Sequence, residues 1–257
     1  MQDLRNKIVL ITGASSGIGQ ASAVEFAKQG ARLILAARRK ERLEELKSHL
    51  EKEYKVKVHL ITLDVRKQKD VQKAVESLPA ELVDVDILVN NAGLSRGLDK
   101  IYESDPGNWE EMIDTNVKGL LYMTRAVMPG MVKRNGGHII NIGSIAGHEV
   151  YPNGNVYNAT KHAVKALNKA MRMDAFGTNI RVTSIDPGFV ETEFSLVRFR
   201  GDSERASKVY QGMRPLTAQD IAEAIVWSCT RPAHVNIEDM IIMPTDQASI
   251  TMVNRKQ

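Results

Sequence analysis

Short apolar runs rich in Val, Ile and Leu recur along the chain, and the segments between them place their apolar residues at a helical period. The runs Lys7–Thr12, Arg32–Ala36, Lys57–Thr62, Asp86–Asn90, His138–Gly143, Arg181–Ile185 and Met240–Met243 predict seven strands. Helices are expected at Gln20–Lys28, Lys40–Tyr54, Gln68–Leu82, Asn108–Arg134, a segment carrying Tyr157, and Ala218–Thr230. Strands that read as near-continuous apolar runs are buried on both faces. Their alternation with helices therefore predicts a parallel sheet covered on both sides. No linker or internal boundary breaks the series, so the expectation is one α/β domain over 1–257, doubly wound, with ligands beyond the carboxyl ends of the strands.

A length of 257 residues is ample for one core of that type. The single cysteine, Cys229, excludes an intrachain disulfide. The six histidines (His49, His59, His138, His148, His162 and His234) show no paired ligand spacing, so no metal is expected and they read as surface or loop residues. The first strand starts by residue 7 with no signal-peptide core before it, and no apolar run is long enough to span a bilayer. A soluble, cytoplasmic protein is the expectation. The net charge of +4 does not form a basic stripe: Arg38, Arg39, Lys40, Arg42 and Lys47 alternate with Glu41, Glu44, Glu45 and Glu51. With five Phe and six Tyr scattered along the chain, no stacking platform for nucleic acid is visible.

Three patterns carry chemistry. The first strand runs directly into Gly13-Ala14-Ser15-Ser16-Gly17-Ile18-Gly19 and then a helix. Glycines let backbone approach a pyrophosphate, whose charge then rests on the amides of the helix start. Further on, Ser144 closes an apolar strand, and Tyr157 and Lys161 follow four residues apart. On a helix those two share a face, so the ammonium is expected to pull the phenol pKa down and make Tyr157 a proton donor or acceptor. A hydroxyl at the strand end, Ser144, is placed to hydrogen-bond the same substrate oxygen. The third pattern is Ala36-Ala37-Arg38-Arg39, with no carboxylate between Ala31 and Lys40. An acid there holds the ribose hydroxyls of NAD, whereas arginine accommodates the extra phosphate of NADP. Arg38 and Arg39, helped by the Ser15 hydroxyl, therefore point to NADP.

Together with Asn90-Asn91-Ala92-Gly93, Asn116 and Pro187-Gly188, these motifs follow one another in an order and spacing that resemble the short-chain dehydrogenase/reductase family along essentially the whole chain. The resemblance implies a Rossmann-type domain. It implies cofactor contacts at Gly13, Ser15, Ser16, Gly17, Ile18, Gly19, Arg38, Arg39, Asp64, Val65, Asn91, Ala92, Gly93, Tyr157, Lys161, Pro187, Gly188, Val190 and Thr192. Among these, Asp64-Val65 resembles the adenine contact and Thr192 the residue orienting the nicotinamide carboxamide. It also implies that Lys161 holds the nicotinamide ribose and that Asn116 holds a water of a proton relay. A mid-helix Asn beside Gly119 is equally read as capping a kink. The segments Phe189–Asp202 and Pro232–Ile237 resemble the subgroup of NADP-dependent 3-hydroxy acid dehydrogenases, which includes serine and allo-threonine dehydrogenases.

The implied reaction is hydride transfer between NADP and a small 3-hydroxy acid or its 3-oxo counterpart, with Ser144, Tyr157, Lys161 and Asn116 as the catalytic set. Residues from about 190 to 214 form the family's flap over the substrate, and Arg198 in it is a candidate clamp for a substrate carboxylate. Reduction of neutral ketones or 3-oxoacyl thioesters, and a non-catalytic dinucleotide sensor, stay open as alternatives. The family is typically tetrameric through the helices Asn108–Arg134 and Tyr157–Phe176; Met112, Met123 and Met128 fit either such an interface or the core.

Overall fold

The computed structural model describes residues 2–256. Its strands are β1 (Ile8–Thr12), β2 (Arg32–Ala37), β3 (Val58–Thr62), β4 (Ile87–Asn90), β5 (Gly137–Ile142), β6 (Ile180–Pro187), β7 (Val190–Glu191), β8 (Leu216–Thr217) and β9 (Asp239–Ile242). Seven of them form one parallel sheet in the order β3-β2-β1-β4-β5-β6-β9, while β7 and β8 pair separately. After β3 the chain crosses back over β1 to lay down β4, so the strand order reverses between β1 and β4. The loops at the carboxyl ends of those two strands diverge there and leave a crevice, the usual ligand position of such sheets.

The helices are α1 (Gly17–Lys28), α2 (Lys40–Tyr54), α3 (Gln68–Glu76), α4 (Pro106–Ile113), α5 (Leu120–Arg134), α6 (Asn155–Asp174), α7 (Phe194–Arg198), α8 (Ser203–Lys208) and α9 (Ala218–Cys229). The central strand β1 is buried on both faces, and its side chains divide between two cores. Val9 and Ile11 join Leu33, Leu35, Phe26 and Ile225 under α1, α2 and α9. Ile8 and Leu10 join Ile34, Leu88, Met123 and Val164 under α3, α5 and α6. Each fully buried Leu or Phe contributes roughly 1.5–3 kcal/mol relative to exposure. Polar residues enter the second face as a hydrogen-bonded ladder. Asn90 donates to Asn141 at 3.0 Å, Asn141 to Asn168 at 3.0 Å, and Asn168 to the Glu238 carbonyl at 3.0 Å, tying β4, β5, α6 and the approach to β9 together.

Several sequence expectations are corrected. The helix expected over Gln68–Leu82 stops at Glu76, because Pro79 cannot continue it and a separate 3-10 turn follows at Ala80–Leu82. The helix expected over Asn108–Arg134 begins at Pro106, capped by the Asp105 side chain, and is interrupted by a π-turn at Asp114–Gly119. Met112 and Met123 are core residues, 2% and 1% exposed. His138 is not a surface residue: it lies buried in β5 with Nε2 2.8 Å from Thr183 Oγ1, and burial holds it well below the usual histidine pKa. The flap, which shows no strand pattern in sequence, is built from β7, α7 and α8, with β8 immediately after it. No helix among the described residues is long and apolar enough to cross a membrane.

Candidate active site

A cavity of about 610 Å³ opens at the β1/β4 crevice. It extends from Arg38, Arg39 and Asp64, past the glycine loop, to Ser144, Tyr157 and Arg198. The first half is a backbone cradle. Thr12, the last residue of β1, accepts through Oγ1 from the amides of Asn91 and Ala92 at 3.0 Å each. Asn91 returns the tie by donating Nδ2 to the Thr12 carbonyl at 2.9 Å. The two loops are thus locked so closely that a Cβ on Gly13 (φ +64°) would lie 2.9 Å from Asn91 Nδ2. Only glycine fits there. Ser16 caps α1 with extended backbone and no side-chain capping bond, so the α1 amides face the cavity, as pyrophosphate binding requires. The cradle, the free helix start and the adjoining guanidiniums fit a phosphorylated dinucleotide.

At the adenosine end Arg39 donates Nε to Ser15 Oγ at 3.2 Å and Nη2 to Ser16 Oγ at 2.6 Å. It also meets Glu193 Oε2 at 2.9 Å. Arg38 is exposed at the same rim. Asp64, after β3, forks with Arg66, whose hydrogen bonds hold its carboxyl below the usual range. Val65 packs against Gly119 of the π-turn, where a Cβ would come within 2.7 Å of it.

The reacting end assembles at the carboxyl ends of β5 and β6 and the first two turns of α6. Ser144 lies two residues past the end of β5; its Oγ accepts from Ala146 N at 3.1 Å and donates to the Pro187 carbonyl at 3.4 Å. Tyr157 and Lys161 lie one turn apart on α6 and are only 8% and 7% exposed. Lys161 Nζ donates to the Ile142 carbonyl at 2.8 Å and stands 5.8 Å from the Tyr157 ring centre.

That geometry overturns the expected titration. Burial raises the Tyr157 phenol above its ordinary value, with nearby Tyr151 adding to the effect; Arg198 and the Ser144 hydroxyl only partly oppose it. Burial also lowers Lys161 to about 8, against the attraction of Asp186. At neutral pH the site therefore holds a neutral phenol and an ammonium. Desolvation of the phenol outweighs the lowering by Arg198 and Ser144.

Asn116 sits within the π-turn, 2% exposed, with its amide committed. Oδ1 accepts from Leu94 N at 2.8 Å, and Nδ2 donates to the Leu94 carbonyl at 2.8 Å and to Thr160 Oγ1 at 3.1 Å. It joins the loop after β4 to α6. Gly93, Asn116 Oδ1 and Lys161 Nζ are neighbours there: a Cβ on Gly93 would lie 3.3 Å and 3.8 Å from those two atoms.

Arg198 ends α7 above Tyr157. Its guanidinium carbon lies 5.4 Å from the Tyr157 ring centre and 5.2 Å from that of Phe194. Nη2 donates to Tyr151 Oη at 3.0 Å, while Nε is buried with no hydrogen-bond partner among the described residues. Thr192 Oγ1 accepts from Phe194 N at 3.2 Å and sits beside Gly17; Ile18, Pro187, Gly188 and Val190 complete the wall between the two ends.

Sequence reasoning missed Tyr151, Glu193 and a polar cluster around the buried Asp186. In that cluster Asp186 accepts from Ser184 Oγ at 2.5 Å and from His148 Nε2 at 2.5 Å, and Lys165 Nζ is 2.7 Å from His148 Nδ1. Asp239 completes it, its pKa raised to about 6 by burial and by Asp186. Ligand atoms of His148, Asp186 and Asp239 lie within 4.8 Å of one another, a grouping that sequence spacing could not reveal.

The family model described as short chain dehydrogenase matches residues 7–201. The chain is 50% identical over 242 residues to the NADP-dependent 3-hydroxy acid dehydrogenase YdfG of Escherichia coli (strain K12), covering 94% of this chain and 96% of that one. It is 47% identical over 258 residues to the NADP-dependent 3-hydroxy acid dehydrogenase of Schizosaccharomyces pombe, covering both chains completely. Among solved structures, the closed form of serine dehydrogenase complexed with NADP+ superposes with a TM-score of 0.92 at 49% identity, covering 97% of this chain and 100% of that chain. With the glycine cradle, the Ser144–Tyr157–Lys161 arrangement and these similarities in hand, the chain belongs to the short-chain dehydrogenase family of oxidoreductases.

Proposed function

We propose that this enzyme is NADP-dependent and interconverts a small 3-hydroxy acid, of the serine, allo-threonine or 3-hydroxypropanoate type, with its 3-oxo counterpart. The carrying observation is Arg198: a guanidinium with a buried, unpartnered Nε stands over the ring of Tyr157. A substrate whose oxygen meets Tyr157 would reach Arg198 with a carboxylate a few bonds away, and the fork suits a charge-assisted pair. Arg38 and Arg39 supply the cation for a 2′-phosphate, and the names of the similar dehydrogenases agree with both assignments.

NADPH, when bound along the cradle, supplies the hydride. The remaining work falls to the chain. Ser144 Oγ hydrogen-bonds the substrate carbonyl oxygen and steadies the charge that develops on it. Tyr157, held neutral by burial, gives that oxygen its phenolic proton as the carbon gains hydride. The Lys161 ammonium stabilises the phenolate left behind. Asn116 fixes the loop that brings Gly93 beside Lys161, where a water chain would return the proton. Oxidation runs the same steps backwards.

A panel of L-serine, L-allo-threonine, 3-hydroxypropanoate and 3-hydroxybutyrate, each beside its methyl ester, tests the reading. Turnover of the free acids and not of the esters is expected; preference for the esters would refute it. We further read the enzyme as a soluble, cytoplasmic homotetramer; the exposed Leu121 and Val132 on α5, Met173 near the end of α6 and Phe176 just past it support the oligomer. Sedimentation velocity of the purified chain checks the oligomer.

A further inference from the structure

One carboxylate of the flap stands on the guanidiniums at the adenosine end. Glu193 Oε2 accepts from Arg39 Nη1 at 2.9 Å, and Oε1 accepts from Arg42 Nη1 at 2.5 Å. Arg39 also donates Nε to Ser15 and Nη2 to Ser16 of the glycine loop. All three of its nitrogens are therefore engaged within the chain. Those hydrogen bonds hold the Glu193 carboxyl below the usual range, so it is ionised at neutral pH. A phosphate monoester presents up to two charges and three acceptor oxygens to the same guanidinium. It and Glu193 repel each other and compete for Arg39 Nη1.

We propose that Glu193 is a cofactor-specificity residue, an internal counter-ion that a nucleotide 2′-phosphate must displace from Arg39. The inference rests on Arg39 as the 2′-phosphate seat. Glu193 spans two arginines, so displacement is a handover: Arg39 turns to the phosphate while Arg42 keeps the carboxylate. A nucleotide without the phosphate leaves Glu193 in place. The exchange is connected to the reacting end, because Glu193 directly precedes α7. On that helix Phe194 packs on Tyr157, with ring centres 5.6 Å apart, and Arg198 lies over the same ring. Filling the phosphate seat thus shifts the start of the element that carries the substrate clamp.

Calorimetric titration of the full chain with 2′,5′-ADP and with 5′-AMP tests this without turnover. Wild type should prefer 2′,5′-ADP. Glu193→Gln should bind 2′,5′-ADP about three- to five-fold more tightly, the scale of a partly exposed ion pair, with 5′-AMP unchanged. The gain should vanish in Arg39→Met/Glu193→Gln relative to Arg39→Met. Unchanged or weaker 2′,5′-ADP binding by Glu193→Gln, or a gain that survives loss of Arg39, would overturn the inference and leave the reading of Arg39 standing. A wild type indifferent to the 2′-phosphate would overturn both.

Discussion

Asp186 occupies the space that a side chain at Gly143 would need: a Cβ built on Gly143 would collide with its Oδ1. The carboxylate is 1% exposed and fixed by Ser184 and His148, so it cannot retreat. Gly143 is the residue between Ile142, whose carbonyl receives the Lys161 ammonium, and Ser144. The substitution Gly143→Ala should therefore push the strand end out of place. Overpacking of this kind costs about 1–3 kcal/mol. A lower melting temperature and a lower kcat are expected, both partly restored in Gly143→Ala/Asp186→Ala. No recovery in the double variant would show that the clash is not with Asp186.

The same carboxylate attracts the Lys161 ammonium, which burial lowers to about 8. The sign is fixed: removing a negative charge disfavours the cation, so Asp186→Asn should move the Lys161 titration to still lower pH. Carbon-detected NMR of the lysine Cε–Nζ group reads it directly. For the folded protein, a lysine titrating near 8 against roughly 10.4 unfolded costs stability below pH 8. That cost is relieved as pH rises across the window between the two values. A Lys161 midpoint at the free-lysine value would contradict both statements.

Arg198→Ala should raise KM for hydroxy acid substrates by roughly ten- to a hundred-fold, the range for hydrogen bonds to charged groups. Neutral substrates such as methyl esters should be spared. Steady-state kinetics on matched acid and ester pairs decide it; equal loss on both would mean that Arg198 only supports the flap through Tyr151.

Tyr157→Phe removes the transferable proton and leaves the ring that packs on Phe194. A fall in kcat of roughly 10²- to 10⁴-fold is expected, with NADPH dissociation constant nearly unchanged. Ser144→Ala should lose about 10²- to 10³-fold in kcat by the same separation of binding and chemistry. Fluorescence titration with NADPH beside single-turnover rates makes the distinction.

Much of this is legible in the amino-acid sequence. The seven apolar runs marked the sheet, because buried parallel strands leave a near-continuous signal, and the glycine loop after β1 and the spacing of Tyr157 and Lys161 marked the two ends of the cavity. The unread parts are contacts between residues remote in sequence. Arg39 pairs with Glu193 across 154 positions. Asp186 meets His148 across 38 positions from another loop. The direction of the Tyr157 pKa shift lies outside the motif for a related reason. A motif gives the cation one turn away, but not the burial that decides the balance, nor the neighbouring Tyr151 and Tyr210 that add to it. At Asn116 the sequence offers a relay residue or a helix-kink cap; the π-turn that directs its amide to Leu94 has no pattern of its own there.

The most direct test of the account is the initial rate of nicotinamide reduction by the wild-type enzyme with 3-hydroxypropanoate and L-serine, each with NADP and with NAD. The account predicts turnover of at least one of these acids with NADP and little with NAD. Preference for NAD, or no turnover of any small 3-hydroxy acid despite tight NADPH binding, would contradict it.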